Sequence, residues 1–250
     1  YHLWSERYDR DLKDVFAIRS EVAQTVADAL RVTLAAAERE GLAQVPTQDL
    51  EAYQLYLKAR YATEYLTTAG VNDAIRYLKE AVARDPNYAL AHLGMAYYYI
   101  NISDGFISAN EALPLSRDAA ETALRLDPSL AEAHTWLGAV HWWYDRDYEA
   151  ARREFETALA MQPNLSSARE YHGLFLLATG HIEEGLAESR RAVVLDPLSP
   201  EAKTWLGVNQ YLARRYEEAI EVLHTTIVRD PGYPYARLWL GRAYARMGRF

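Results

Sequence analysis

Residues 132–138 read EAHTWLG, and residues 201–207 read EAKTWLG. Six of the seven letters agree across a gap of 69 residues (201 − 132). Either one chemical signature is written twice, or a structural unit recurs, 69 being two units of 34 or 35 residues. The prolines decide between these. Five of the nine stand at Pro86, Pro128, Pro163, Pro197 and Pro231, at intervals of 42, 35, 34 and 34. Four of the five follow Asp. Each closes a segment of helical periodicity, such as YEAARREFETALAMQP (148–163) or YEEAIEVLHTTIVRDP (216–231). Proline cannot continue a helix and pushes the residue before it out of the helical region. Regularly spaced helix stops mean a repeated helical unit.

Counting places from the third residue after each proline makes Ala131, Ser166, Pro200 and Pro234 first in their units. Place 8 is then Gly138, Gly173, Gly207 and Gly241. Place 20 is Ala151 (after one inserted residue), Gly185 and Ala219, and place 27 is Ala158, Ala192 and Thr226. Glycine within a helix costs about 1 kcal/mol relative to alanine, so its recurrence predicts close helix–helix approach. Gly180 and Gly248 mark a turn in mid-unit. This pattern resembles the tetratricopeptide repeat, a 34-residue helix–turn–helix unit with small residues at these places and a closing proline. The resemblance covers residues 50–250, in units ending near Pro86, Pro128, Pro163, Pro197 and Pro231, with the last unit truncated at its turn. It implies an all-α fold, a right-handed α-solenoid of stacked helix–turn–helix repeats, each covering its neighbour's apolar face. The unit between Pro86 and Pro128 carries eight extra residues, expected within INISDGFISANEALP (100–114). They read as a surface insertion; an outward contact through Phe106 and Ile107 is the alternative.

Composition bounds the function. A chain of 250 residues, 50% hydrophobic, buries a substantial core. It has no cysteine, which excludes disulfide frameworks and thiolate zinc sites. Its 27 basic and 35 acidic residues leave a net charge of −8 without a basic cluster, so no nucleic-acid partner is expected. No apolar run approaches the roughly 20 residues that cross a bilayer, so no membrane contact is expected of this segment. It reads as soluble and cytoplasmic, or periplasmic if tethered behind a transmembrane helix elsewhere. The pair Glu183–Glu184 recurs 34 residues later as Glu217–Glu218, opening the same helix of the next unit, where acidic side chains favour the helix dipole. His134 and His141 lie too far apart on one helix face to chelate an ion together. No phosphate loop, nucleophile elbow or dinucleotide fingerprint occurs. No catalytic, cofactor-binding or metal-binding residue is therefore predicted, and the segment reads as non-enzymatic.

Ahead of the repeats, residues 1–12 read as the tail of a preceding domain that ends in a strand. Residues 13–40 read as an amphipathic helix keyed by Ile18, Val22, Val26 and Leu30, and residues 41–49 as a linker with Gly41 and Pro46 as breakers. The stretch LWSERYDRDLKDVFAIRSEVAQTVADAL (3–30) is similar to the junction after a TolB-like domain in bacterial signalling proteins that carry tetratricopeptide repeats. That resemblance implies a fragment of a larger regulator, with a nucleotide cyclase, serine/threonine kinase or winged-helix output domain upstream.

The tryptophan of the opening heptad stands at place 6, which reads Trp136, Tyr171, Trp205 and Trp239 in successive units. By family resemblance places 2, 5, 6, 9, 12 and 13 face the concave groove. Tyr97, Trp142, Trp143, Tyr211 and Tyr235 stand at such places, and Arg242 and Arg246 add positive charge near the last unit. Two readings compete. The rings either pack between adjacent first helices and set the superhelix pitch, or stay partly exposed and receive a peptide. Places 5 and 9 carry Leu93 and Tyr97, Thr135 and Ala139, Glu170 and Leu174, Thr204 and Val208. The Lys/Asn clamp by which some family members grip a terminal carboxylate is thus absent. The expected partner is a protein or peptide with an apolar or aromatic segment. The alternative function is regulation in cis of an upstream cyclase or kinase, and self-association through the final helix is a third reading.

Overall fold

The computed structural model describes residues 21–22, 24–26, 46–62, 68–103 and 107–248. Among these there is no strand, and from residue 50 onward the chain is a succession of helix pairs. Helices α1 (Leu50–Ala62) and α2 (Thr68–Arg84) make the first pair, α3 (Ala89–Ile102) and α4 (Ala109–Leu126) the second. Then come α5 (Ala131–Val140, extended by the turn His141–Asp145) with α6 (Tyr148–Met161), and α7 (Ser166–Ala178) with α8 (Ile182–Leu195). Helices α9 (Pro200–Leu212) and α10 (Tyr216–Arg229) form the fifth pair, and α11 (Pro234–Arg246) stands last. The second helix of each full pair stops two residues before its proline, and the next helix begins three residues after it. The fold is an all-α tetratricopeptide-type solenoid.

The small residues do the work expected of them. A Cβ on Gly138 would come within 2.8 Å of the Phe155 ring, and one on Gly207 within 2.6 Å of Leu223. Phe155 and Leu223 occupy equivalent places in the facing second helix, so glycine at place 8 lets a large side chain lie across the helix axis. In the unit between them Gly173 and Gly185 meet backbone to backbone: a Cβ on Gly185 would lie 2.5 Å from the Gly173 carbonyl oxygen. Gly241 meets nothing within 4 Å.

From the third pair onward each first helix ends on a left-handed residue. These are Arg146, Gly180, Arg214 and Gly248, with φ of 60°, 93°, 61° and 66°, and they keep the 34-residue beat. The amide following each of the middle two closes the helix end, His181 N–H donating to Leu176 O and Arg215 N–H to Gln210 O, both at 2.8 Å. The equivalent amide of Asp147 reaches His141 O instead, one residue further back, at 3.0 Å. That difference is where the 35-residue unit hides its extra residue: His141–Asp145 is a π-helical turn. The eight extra residues of the second unit are divided. Helix α4 has 18 residues where α6, α8 and α10 have 14 each, and the rest lengthen α3 and the loop after it. Ile107 is exposed there; Phe106 lies outside the described residues.

Of the amino-terminal segment, residues 21–22 and 24–26 are helical, and residues 1–20 and 27–45 lie outside the described residues. The expected strand, most of the amphipathic helix and most of the linker therefore lie there too. The last linker residues are docked. Thr47 is buried and donates to Asp85 at 2.5 Å, while Asp49 caps α1 by accepting from Ala52 N–H at 2.9 Å and pairs with Arg84. No described helix is long and apolar enough to cross a membrane.

Candidate functional site

The first helices of the pairs share an inner face, and their aromatic side chains are stacked along it. Ring centroids run Tyr97–Trp136 at 5.2 Å, Trp136–Tyr171 at 5.1 Å, Tyr171–Trp205 at 6.1 Å and Trp205–Tyr235 at 6.3 Å. Trp136 is wholly buried and Tyr171 nearly so, whereas Trp205, Trp239, Tyr97 and Tyr235 are half-buried. The ladder departs from strict register at its end. Trp239 packs on Tyr211 at 5.3 Å, and Tyr235 takes the position next to Trp205. Trp142 is buried against Phe175 at 5.6 Å, while Trp143, one step on in the π-turn, reaches Tyr171 at 5.8 Å. Arg242 lies over the Trp239 ring at 4.4 Å, and Arg246 donates to the Tyr211 hydroxyl at 3.3 Å.

The solenoid curls enough for distant units to touch. Tyr97 on α3 donates its hydroxyl to Glu201 at the start of α9, 3.4 Å away and 104 residues on in sequence. One cavity, of about 580 Å³, is lined by Trp143, Leu174, Trp205, Val208, Tyr235 and Trp239 among others. A second, of about 510 Å³, is bordered by Tyr56, Tyr97, Glu132, Ser166, Ser167 and Glu170. Tyr171 and Glu201 line both.

Three carboxylates stand in this interior: Glu132, Glu170 and Glu201. Ser167 donates to Glu132 at 3.3 Å, Ser166 to Glu170 at 2.9 Å and Tyr97 to Glu201 at 3.4 Å. Burial raises all three carboxyls above the usual range, Glu170 most firmly, because each loses more hydration than its hydrogen bonds restore. The hydroxyl of Tyr97 is likewise pushed well up, by burial first and then by the Glu201 charge.

With this geometry stand the comparisons. The tetratricopeptide repeat family model matches residues 143–200, 172–234 and 206–250. Its beat is the one that the left-handed turns keep in the structure. Residues 143–250 are tetratricopeptide repeats. The chain is 36% identical over 155 residues to "Putative adenylate cyclase 3" of Rhizobium meliloti, a match spanning 60% of this chain and 26% of that protein. Two solved structures share the fold. TTC0263 of Thermus thermophilus, a thermophilic TPR protein, superposes with a TM-score of 0.62 at 14% identity, covering 78% of this chain and 99% of that one. Human IFIT1, solved as a dimer with m7Gppp-AAAA, superposes with a TM-score of 0.67 at 16% identity, covering 92% of this chain and 52% of that one.

In tetratricopeptide terms, Glu132 and Glu201 are place 2 and Glu170 is place 5, both groove-facing. The first letter of the repeated heptad is therefore part of the interior as much as its tryptophan is. In the sequence pattern Glu170 stands out only as a break in the carboxylate clamp, and Glu132 and Glu201 do not stand out at all; their groove-facing places are the one signal that could have found them. The remaining polar residues fit the fold. His134 pairs with Glu154 at 2.7 Å and His141 with Asp145 at 2.8 Å. His172 lies beside Phe155 and Phe175 with its Nδ1 unpaired, and burial lowers its pKa. Glu183 pairs with Arg215 of the next unit. Among the described residues no three His, Asp or Glu side chains are grouped to hold a metal ion.

Proposed function

We propose that the array is a non-enzymatic protein-interaction scaffold whose inner face receives a segment of a partner protein, its apolar side chains seated in the cavity around Trp205. The observation that carries this is the division of the aromatic ladder. Trp136 and Tyr171 are spent on packing, while Trp205, Tyr235 and Trp239 keep part of each ring on a cavity of about 580 Å³. That is the size and lining by which proteins hold side chains of a ligand, and half-buried tryptophan is the residue that most often anchors such contacts. A random heptapeptide library selected on the chain supplies ligands of unrestricted sequence. Trp205→Ala should weaken the best selected peptide by about 2 kcal/mol, some 30-fold. Its melting temperature should fall by only a few degrees. Equal affinity of variant and wild type would remove the cavity from the account.

We further propose that this scaffold is the regulatory part of a larger bacterial signalling protein, biasing an output domain when its partner binds. The support is the 36% identity to a protein named as an adenylate cyclase, of which the match spans only 26%. A cyclase, kinase or winged-helix domain encoded in frame upstream of Tyr1 would agree with this; an upstream frame with none of them would contradict it.

A further inference from the structure

From the second cavity we infer that the scaffold selects partners carrying a lysine or arginine, whose cationic head enters among Glu132, Glu170 and Glu201. This rests on the peptide-binding reading and names the chemistry of the partner. Four observations meet there. The cavity of about 510 Å³ is walled by these three carboxylates, with Asp196 at its margin, against Arg60 as its one basic lining residue. Its carboxyls take their hydrogen bonds from neutral side chains, Ser166, Ser167 and Tyr97, and Glu132 also feels the charge of Arg60. Trp136, wholly buried, lines the same cavity with an indole N–H that has no acceptor. The half-buried rings of Tyr56 and Tyr97 flank the carboxylates, and aromatic faces beside acidic groups are the surroundings that a desolvated ammonium or guanidinium prefers.

Charge selects the class of occupant. A polyanion is repelled by the carboxylates and by a net charge of −8, and an acidic tail by both. The two cavities adjoin at Tyr171 and Glu201, so one extended segment spans them with a basic residue on one side and apolar residues on the other. The partner is a protein segment in which a lysine or arginine is followed or preceded within a few residues by large apolar side chains.

The library selection tests this when it is run on three proteins: the wild type, the triple variant Glu132→Gln/Glu170→Gln/Glu201→Gln, and Glu217→Gln as an exposed acidic control. Circular dichroism melting verifies that each is folded; Glu170→Gln alone replaces the triple variant should that one melt. On wild type and control, lysine- or arginine-bearing peptides should bind about tenfold tighter than their glutamine counterparts, the factor that about 1.4 kcal/mol gives. The difference should vanish on the carboxylate variant while apolar preference persists. Apolar enrichment without a basic residue on wild type overturns the cation pocket and leaves the groove reading standing. Enrichment of acidic peptides overturns it as well. No enrichment of any kind overturns both.

Discussion

Single residues in this array divide by whether they face a neighbouring helix or the interior. Trp136 is wholly buried, and Trp136→Ala should cost about 3–5 kcal/mol of stability, read by chemical denaturation. That loss, far above the one expected for Trp205→Ala, distinguishes the tryptophans of the two copies of the heptad. Glycines divide in the same way. Gly185→Ala drives a methyl against the Gly173 carbonyl and should cost about 1–3 kcal/mol, whereas Gly241→Ala meets open space and should gain about 1 kcal/mol of helix propensity. Equal effects at both would deny that packing keeps these glycines. Glu170 offers a test by pH. Burial raises its folded pKa, so folding takes up a proton, and the stability this contributes is lost as pH rises from the unfolded value of about 4.5 through the folded one. Glu170→Gln should therefore raise the melting temperature at neutral pH, with the gain shrinking on acidification. A variant less stable than wild type at pH 7 would show that the charge is already compensated.

At the scale of elements, the beat of prolines and glycines was legible because each marks a backbone constraint that every unit must meet. The helices begin and end where the five regularly spaced prolines predict, whereas Pro114 lies within α4. Legibility failed where a constraint has more than one solution. Glycine announced the turns at Gly180 and Gly248, but Arg146 and Arg214 occupy the same left-handed conformation without announcing it. Arg214→Gly should stabilise the chain by about 1 kcal/mol in thermal or urea unfolding, since only a residue without a Cβ enters that region freely. No gain would mean that the arginine side chain compensates through contacts of its own. The extra residue of the 35-residue unit was countable; that it becomes a π-turn delivering Trp142 to the core and Trp143 to the cavity was not. The eight-residue insertion reads as a loop, yet four of its residues lengthen α4, whose Ala, Leu, Glu and Arg residues favour a helix although Pro114 lies within it.

The whole molecule holds what no local pattern encodes. Place 6 gave the aromatic ladder in sequence, but the bridge from Tyr97 to Glu201 depends on small rotations accumulated over three units, which periodicity does not fix. Glu201, at one end of that bridge, lines both an apolar and an acidic cavity, so the site is not a row of rings alone but a row of rings beside carboxylates. The expectation of an apolar partner thereby becomes one of a partner both apolar and basic. The most direct test is hydrogen exchange of the chain with and without its best selected peptide. Slowed exchange should concentrate in the first helices α3, α5, α7, α9 and α11. Protection confined to the second helices α4, α6, α8 and α10, or to residues before Thr47, would place the partner elsewhere and contradict the account.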